Sequence, residues 1–181
     1  MKLLIFAGAL RADSCNKKSA REALRLAREL GADGEFIDLK DYPMPVYDGD
    51  IETASGIPAG TAALGKKILA ANALVISTPE YNGGIPGILK NVIDWLSREE
   101  TVSLTGKHLL LLAASPGRLG GVRSLWHSRV PFEVLGVHVY PGMMGLSDAY
   151  IAFDAQERLK DTKTVEQLKK TLDQFIKHVK G

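Results

Sequence analysis

Cysteine occurs once in these 181 residues, at Cys15. That excludes an internal disulfide framework and any cysteine-rich metal site, and it fits a reducing compartment. A surplus of one charge is also missing, since 23 basic side chains stand against 21 acidic ones, a formal net charge of +2. Such a balance argues against a binder of phosphate backbones, and no basic cluster restores that idea. No apolar run approaches the roughly 20 residues that cross a bilayer. Repeats and low-complexity tracts are absent. What is present is the composition of an ordinary globular protein, 45% hydrophobic and 24% charged, and the length fits a single domain over residues 1–181. The opening Met1-Lys2-Leu3-Leu4-Ile5-Phe6-Ala7 is too short an apolar stretch for an export signal, and Arg11 and Asp13 follow at once. It reads as a buried first strand, and the expected location is the cytoplasm.

Strand and helix signals alternate. Leu3–Ala7 is an apolar run that stops at Gly8, as a strand buried on both faces does. From Ser19 to Leu30 the apolar positions Ala20, Ala23, Leu24, Ala27 and Leu30 keep helical spacing, and Gly31 ends the helix. A weaker strand is expected over Glu35–Leu39, a long Pro/Gly/Asp-rich connection over Tyr42–Pro58 and a helix over Pro58–Ala71. Ala73–Ser77 reads as the third strand. The helix beyond its loop carries Leu89, Val92, Ile93 and Leu96 on one face and Ile88 and Trp95 on another, so one of the two faces is a candidate subunit contact. His108–Ala114 is the fourth strand, Val122–Leu135 a helix, Val137–Tyr140 a short fifth strand and Pro141–Ala155 an irregular stretch. The last helix shows the stripe Val165, Leu168, Leu172, Phe175, Ile176 and Val179, with Thr164 and Gln167 spaced as a capping box. Five strands alternating with helices predict an α/β three-layer sandwich on a five-stranded parallel sheet of order 2-1-3-4-5, with a ligand at the carboxyl ends of strands 1 and 3.

Three loops at that rim carry chemistry. The first, Gly8-Ala9-Leu10-Arg11-Ala12-Asp13-Ser14-Cys15-Asn16, leads from a strand into a helix N-terminus. Free N–H groups and the helix dipole favour an anion there, and Arg11 adds a planar donor fork for phosphate. Ser14 and Asn16 either donate to that anion or simply cap the helix. Other phosphate loops are ruled out. No Gly-x-Gly-x-x-Gly follows the first strand, and Gly65-Lys66-Lys67 and Gly106-Lys107-His108 lack the hydroxyl residue and upstream glycine of a Walker loop. The second loop, Thr78–Gly87, holds Pro79, Glu80, Tyr81 and Asn82 ahead of two glycines, which suits close approach of a flat heteroaromatic ring. Glu80 is better placed to accept backbone N–H bonds and shape the loop than to catalyse. The third loop offers Ser115, Gly117, Arg118, Gly120 and Gly121.

Together these residues resemble the NADPH-dependent FMN reductase family of the flavodoxin-like superfamily, with the closest likeness to its chromate/quinone reductase branch. Three motifs carry the likeness: Gly8-Ala9-Leu10-Arg11 with Ser14 and Asn16; Pro79-Glu80-Tyr81-Asn82 through Pro86-Gly87, Leu89-Lys90-Asn91 and Ile93-Asp94-Trp95-Leu96; and Ser115 with Gly117, Gly120 and Gly121. The resemblance implies one non-covalent FMN per subunit. Arg11, Ser14 and Asn16 would hold its phosphate, with Cys15 in the same loop, and Pro79, Glu80, Tyr81 and Asn82 would line the isoalloxazine, with Ser115 and Gly117 approaching from the third loop. Ala9 departs from the pattern, for the family often has serine there; the expected effect is a tuned affinity. The likeness further implies NAD(P)H as co-substrate and ping-pong transfer to quinones, free flavins, azo dyes, oxyanions such as chromate, or ferricyanide. The expected assembly is a homodimer or homotetramer, with no nucleic-acid or membrane partner. No protein acid, base or nucleophile is needed when the flavin carries the chemistry. Arg98 and Arg118 are candidate contacts for an anionic acceptor, the alternative being solvated surface arginines.

Several residues are set aside. His108, His127, His138 and His178 lack metal-ligand spacing and read as structural or surface residues, with His127, after the third loop, the one candidate to approach a substrate. Cys15 reads as a small packed residue, and Trp95 and Trp126 as packing or interface residues. Two other functions share the expected fold. An electron carrier would be strongly acidic, whereas the pI here is near 8.6. A phospho-receiver would need an acidic cluster where strand 1 instead ends in Gly8-Ala9.

Overall fold

Uninterrupted apolar runs become strands covered on both sides, and these runs form the middle of the sheet. The computed structural model describes Met1–Gly181. Its strands are β1 (Lys2–Ala7), β2 (Asp33–Ile37), β3 (Ala73–Thr78), β4 (His108–Ala114), β5 (His138–Val139) and β6 (Met144–Leu146). Its helices are α1 (Cys15–Glu29), α2 (Gly49–Ser55), α3 (Ala59–Leu69), α4 (Gly87–Leu96), α5 (Val122–Val134) and α6 (Thr162–Lys180). All pairings are parallel and run β2-β1-β3-β4-β5, with β6 also on β4. This is the flavodoxin-like order.

Alternation along the central strands divides the core in two. Leu4, Phe6, Leu74, Ile76, Leu109 and Leu111 face the layer of α3, α4 and α5, where Leu64, Ile68, Leu89, Val92 and Phe132 meet them. Leu3, Ile5, Val75, Leu110 and Leu112 face α1 and α6, against Ala23, Leu26, Leu168, Leu172 and Phe175. Each fully buried leucine or phenylalanine contributes about 1.5–3 kcal/mol of transfer free energy. No helix is long and apolar enough to cross a membrane.

The structure corrects the sequence reading at six places. First, α1 begins at Cys15 rather than Ser19, because Ser14 caps it and its first turn buries polar side chains instead of apolar ones. Second, β2 lies over Asp33–Ile37, and Leu39–Asp41 forms a 3-10 turn instead of completing the strand. Third, the long connection contains α2, which buries no residue and so leaves no periodic signature. Fourth, the sheet has six strands, since the stretch expected to be irregular contributes β6; β5 and β6 share one edge position, separated at Pro141-Gly142. Fifth, α6 is capped by Asp161, whose carboxylate accepts from Thr164 N at 2.8 Å, not by a Thr164–Gln167 box. Sixth, the Trp95 face of α4 is covered within the chain. Trp95 is wholly buried, donates Nε1–H to Pro45 O at 2.8 Å and packs edge-on against Tyr47.

Candidate functional site

The carboxyl ends of β1, β3 and β4 bring the three loops together, and α1 points its amino end at them. Ser14 is the cap, its Oγ accepting from Asn16 N at 3.2 Å. The first-turn N–H groups of Cys15 and Lys17 have no partner within the helix. Arg11 is exposed and forms no ion pair with the chain's carboxylates. Asp13 beside it is held by Lys18 at 2.5 Å, and that hydrogen bond and charge keep its carboxyl below the usual range.

Two neighbours bond to the chain itself and stiffen the cleft. Asn16 is 3% exposed. Its Oδ1 accepts from Ser77 Oγ and Ala114 N, and its Nδ2 donates to Ala114 O, each at 2.8 Å. One amide thereby ties the start of α1 to the ends of β3 and β4. Lys17 is buried, and its Nζ bridges Asp38 at 2.5 Å and Leu10 O at 3.3 Å, fixing the first loop to the end of β2. Sequence reasoning assigns Lys17 no role; its signal is a charged residue on the inner face of an amphipathic helix.

The second loop is a tight two-residue turn. Tyr81 and Gly84 exchange backbone hydrogen bonds of 3.2 and 3.0 Å around Asn82 (φ 51°) and Gly83 (φ 76°). Positive φ at both central positions is the type I′ pattern, which favours Asn-Gly. Asn82 therefore shapes the turn, and Tyr81 is left more than half exposed at the lip. Glu80 accepts from Arg123 N at 3.1 Å and Arg123 Nε at 2.7 Å, joining this loop to α5. Burial pushes the Glu80 carboxyl up, but the Arg123 hydrogen bonds and charge outweigh it and hold the group below its ordinary value. In the third loop Ser115 Oγ accepts from Gly117 N at 3.2 Å. Gly120 (φ 60°) packs backbone to backbone on β6, where a Cβ would lie 2.8 Å from Gly145 C.

Between the loops lies a cleft of ≈ 100 Å³ lined by Arg11, Ser14, Cys15, Asn16, Pro79, Glu80, Tyr81 and Ser115, and also by Asp13, Ala114, Pro116 and Tyr150. Of the expected residues, Asn82 and Gly117 belong to the same loops but do not line it. Ala9 is buried outside it. The Cys15 thiol lies 3.5 Å from Ala149 O, and burial pushes its pKa up, as for a packed residue rather than a nucleophile. Tyr150 is new; it comes from the stretch read as irregular, whose position on the rim depends on β6. Arg98 lies nearly three turns away, just past the far end of the ten-residue α4, about 15 Å from the loop. There it pairs with Glu52 at 3.2 Å and does not line the cleft between the loops. Arg118 is exposed in the third loop. His127 stands beside the hairpin, its Nδ1 3.6 Å from where a Cβ on Gly84 would be. His108, His138 and His178 gather at the opposite end of the sheet with ring centroids 5.1 and 5.3 Å apart. No group of side chains there or elsewhere is arranged to hold a metal ion.

A larger hollow of ≈ 610 Å³ lies between α1 and the turn at Gln156–Arg158, lined by four arginines and three glutamates. Most of its charges are already matched: Arg25 grips Glu22, Arg21 pairs with Glu157 and Arg158 with Glu22, while Arg28 donates to Gly34 O. The small cleft is instead the place where donors lack partners. A guanidinium, a hydroxyl and helix N–H groups facing one space fit a phosphate monoester, and a rim of backbone with Tyr81 fits a flat ring.

Comparison with known proteins gives the chain's relatives. The sequence profile of NADPH-dependent FMN reductases matches residues 1–150. An NAD(P)H-dependent FMN reductase of Pseudomonas aeruginosa is 37% identical over 187 aligned positions, covering 100% of this chain and 98% of that protein. The quinone reductase of Escherichia coli is 39% identical over 132 positions, 71% of this chain and 68% of that one. Among solved structures, the flavoenzyme NAD(P)H:(acceptor) oxidoreductase of Paracoccus denitrificans superposes with a TM-score of 0.82 at 27% identity, covering 99% of this chain and 97% of that chain.

Proposed function

Because the chain belongs to the NADPH-dependent FMN reductase family, and is thereby an oxidoreductase working with FMN and NAD(P)H, we propose that the cleft holds FMN by its phosphate and that quinones, free flavins or anions such as chromate and ferricyanide are reduced at its mouth. The observation that carries this reading is the convergence of uncommitted donors on one small space: Arg11, Ser14 and the first turn of α1. At ≈ 100 Å³ the cleft is below the roughly 300 Å³ of a complete ligand pocket. It suits the phosphate end, leaving the ring on the rim between Pro79–Tyr81 and Ser115-Pro116.

When bound, FMN supplies the hydride and electron chemistry. The chain's own residues bind and orient. Arg11 and the α1 amino end neutralise the phosphate. Asn16 and Lys17 keep the first loop rigid from behind. Glu80, locked to Arg123, fixes the second loop so that the Tyr81 hairpin presents backbone to the ring edge. Nothing on the chain closes the outer side of the rim, so NAD(P)H and the acceptor take turns there, and parallel initial-velocity lines are expected. Arg118, exposed in the third loop, attracts anionic acceptors.

The assembly is a homodimer or homotetramer. The support is on α5, where Trp126, Val130 and Val134 lie four residues apart, are 57%, 63% and 78% exposed, and form one apolar stripe. An exposed stripe of that kind marks an association surface. It starts one turn beyond Arg123, so a partner seated on it would lie beside the flavin rim.

The test is a visible spectrum of purified protein reconstituted with FMN, followed by anaerobic addition of NADH or NADPH. Loss of the oxidised flavin bands without a second protein is expected. A protein that rejects FMN, or binds it and leaves it oxidised, would overturn the reading.

A further inference from the structure

Tyr150 is a side chain that the fold positions and then does not use. It is 68% exposed, lines the cleft and forms no hydrogen bond through its hydroxyl. Its backbone, by contrast, is fixed on both sides. Ala149, 1% exposed, donates its N–H to Ser115 O at 3.1 Å and accepts from the Cys15 thiol at 3.5 Å. Asp148 takes φ 49°, and Ile151 N bonds back to Asp148 O at 3.0 Å, a turn that leaves the ring facing outward. Downstream, Lys160 N bonds Ala152 O at 3.0 Å, and Asp154 accepts from Gln156 N and Arg158 N at 2.9 and 2.8 Å. That second turn is pinned to α1 by Arg21–Glu157 at 2.9 Å and by Arg158–Glu22 at 3.5 Å, where Glu22 is 1% exposed.

A free aromatic side chain on a clamped backbone suits ligand contact, since a tyrosine loses little freedom on binding and carries a donor at its tip. The tethers of Ala149 say which end of the ligand it meets. Cys15 is the first residue of α1, and Ser115 follows β4, so Tyr150 stands where the amino end of α1 meets the third loop. Tyr81 occupies the opposite lip, on the loop after β3.

We propose that Tyr150 is a further FMN-binding residue, its ring closing the cleft over the start of α1 and its hydroxyl donating to the phosphate held by Arg11 and Ser14. This rests on the FMN reading above. A neutral hydroxyl suits this position: Asp13 also lines the cleft, and another carboxylate would repel the phosphate.

The experiment compares wild-type apoprotein with Tyr150→Phe, titrating each with FMN and with riboflavin and following flavin fluorescence. The variant keeps the ring and changes an exposed position, so folding is expected to be intact, as circular dichroism checks. The expected result is an FMN dissociation constant raised roughly tenfold, as for one lost hydrogen bond to a charged group, with riboflavin affinity unchanged. Unchanged FMN affinity in the variant would overturn the assignment while leaving the FMN reading intact. Equal weakening of FMN and riboflavin would also overturn it, by showing that the phosphate is not the group contacted. Failure of the wild type to bind FMN would remove both.

Discussion

Individual side chains here act mostly by fixing backbone, and few are left free. Arg11 is among the free ones, and its removal should be felt at the phosphate alone. Arg11→Ala is expected to weaken FMN binding about 10- to 100-fold, the value of a charge-assisted hydrogen bond, with riboflavin nearly unaffected; paired titrations read the difference. Glu80 illustrates the other kind. Its carboxyl is held below its ordinary value of 4.5 although burial opposes that, because Arg123 prefers it charged. A depressed carboxylate stabilises the fold fully above its unfolded value, and that contribution is lost as pH falls through the folded value. Wild type should therefore melt above Glu80→Gln at neutral pH, by the equivalent of about 1 kcal/mol for a half-exposed pair. The gap should narrow as the pH falls below 4.5 and through the lower folded value; a gap that stays constant over that range would mean the pair is not its source. Roles of this kind were only partly legible in the sequence. Glu80 reads correctly as a loop brace, but Asn16 looks like a ligand contact because an amide at a helix start serves either purpose. Only the distances to Ser77 and Ala114 show that its carbonyl is spent inward.

Among elements, legibility follows burial. β4 is read to the residue because His108–Ala114 is a leucine run sealed on both faces. β6 escapes because three residues with glycine at the centre carry no pattern, and their place depends on partners in β4 far away in sequence. α2 buries nothing, and so has no stripe to detect. The glycines of the third loop read as room for a ring, yet Gly120 and Gly145 are needed where the β4–α5 loop crosses β6. Gly120→Ala combines a left-handed φ with a Cβ 2.8 Å from backbone. The strain alone costs about 1–2 kcal/mol, so chemical denaturation should show at least that loss. A neutral result would mean that the crossing of loop and strand can relax.

At the scale of the molecule, the question is which surface is unfinished. The two-faced pattern of α4 suggests an interface there, but the Pro45–Tyr47 segment, which has no periodicity to announce it, covers Trp95 from within. The exposed apolar stripe is on α5 instead. Trp126→Glu is expected to shift the protein from dimer or larger to monomer by light scattering, while circular dichroism stays unchanged; an unaltered mass would remove α5 from the assembly. The divided edge of the sheet adds a constraint of its own. β5 offers two residues and β6 three, with Pro141 between them. So brief and interrupted a border gives an incoming strand nothing continuous to zip onto. Growth of the sheet into neighbouring molecules, the first step toward fibrils, is thus blocked on that flank.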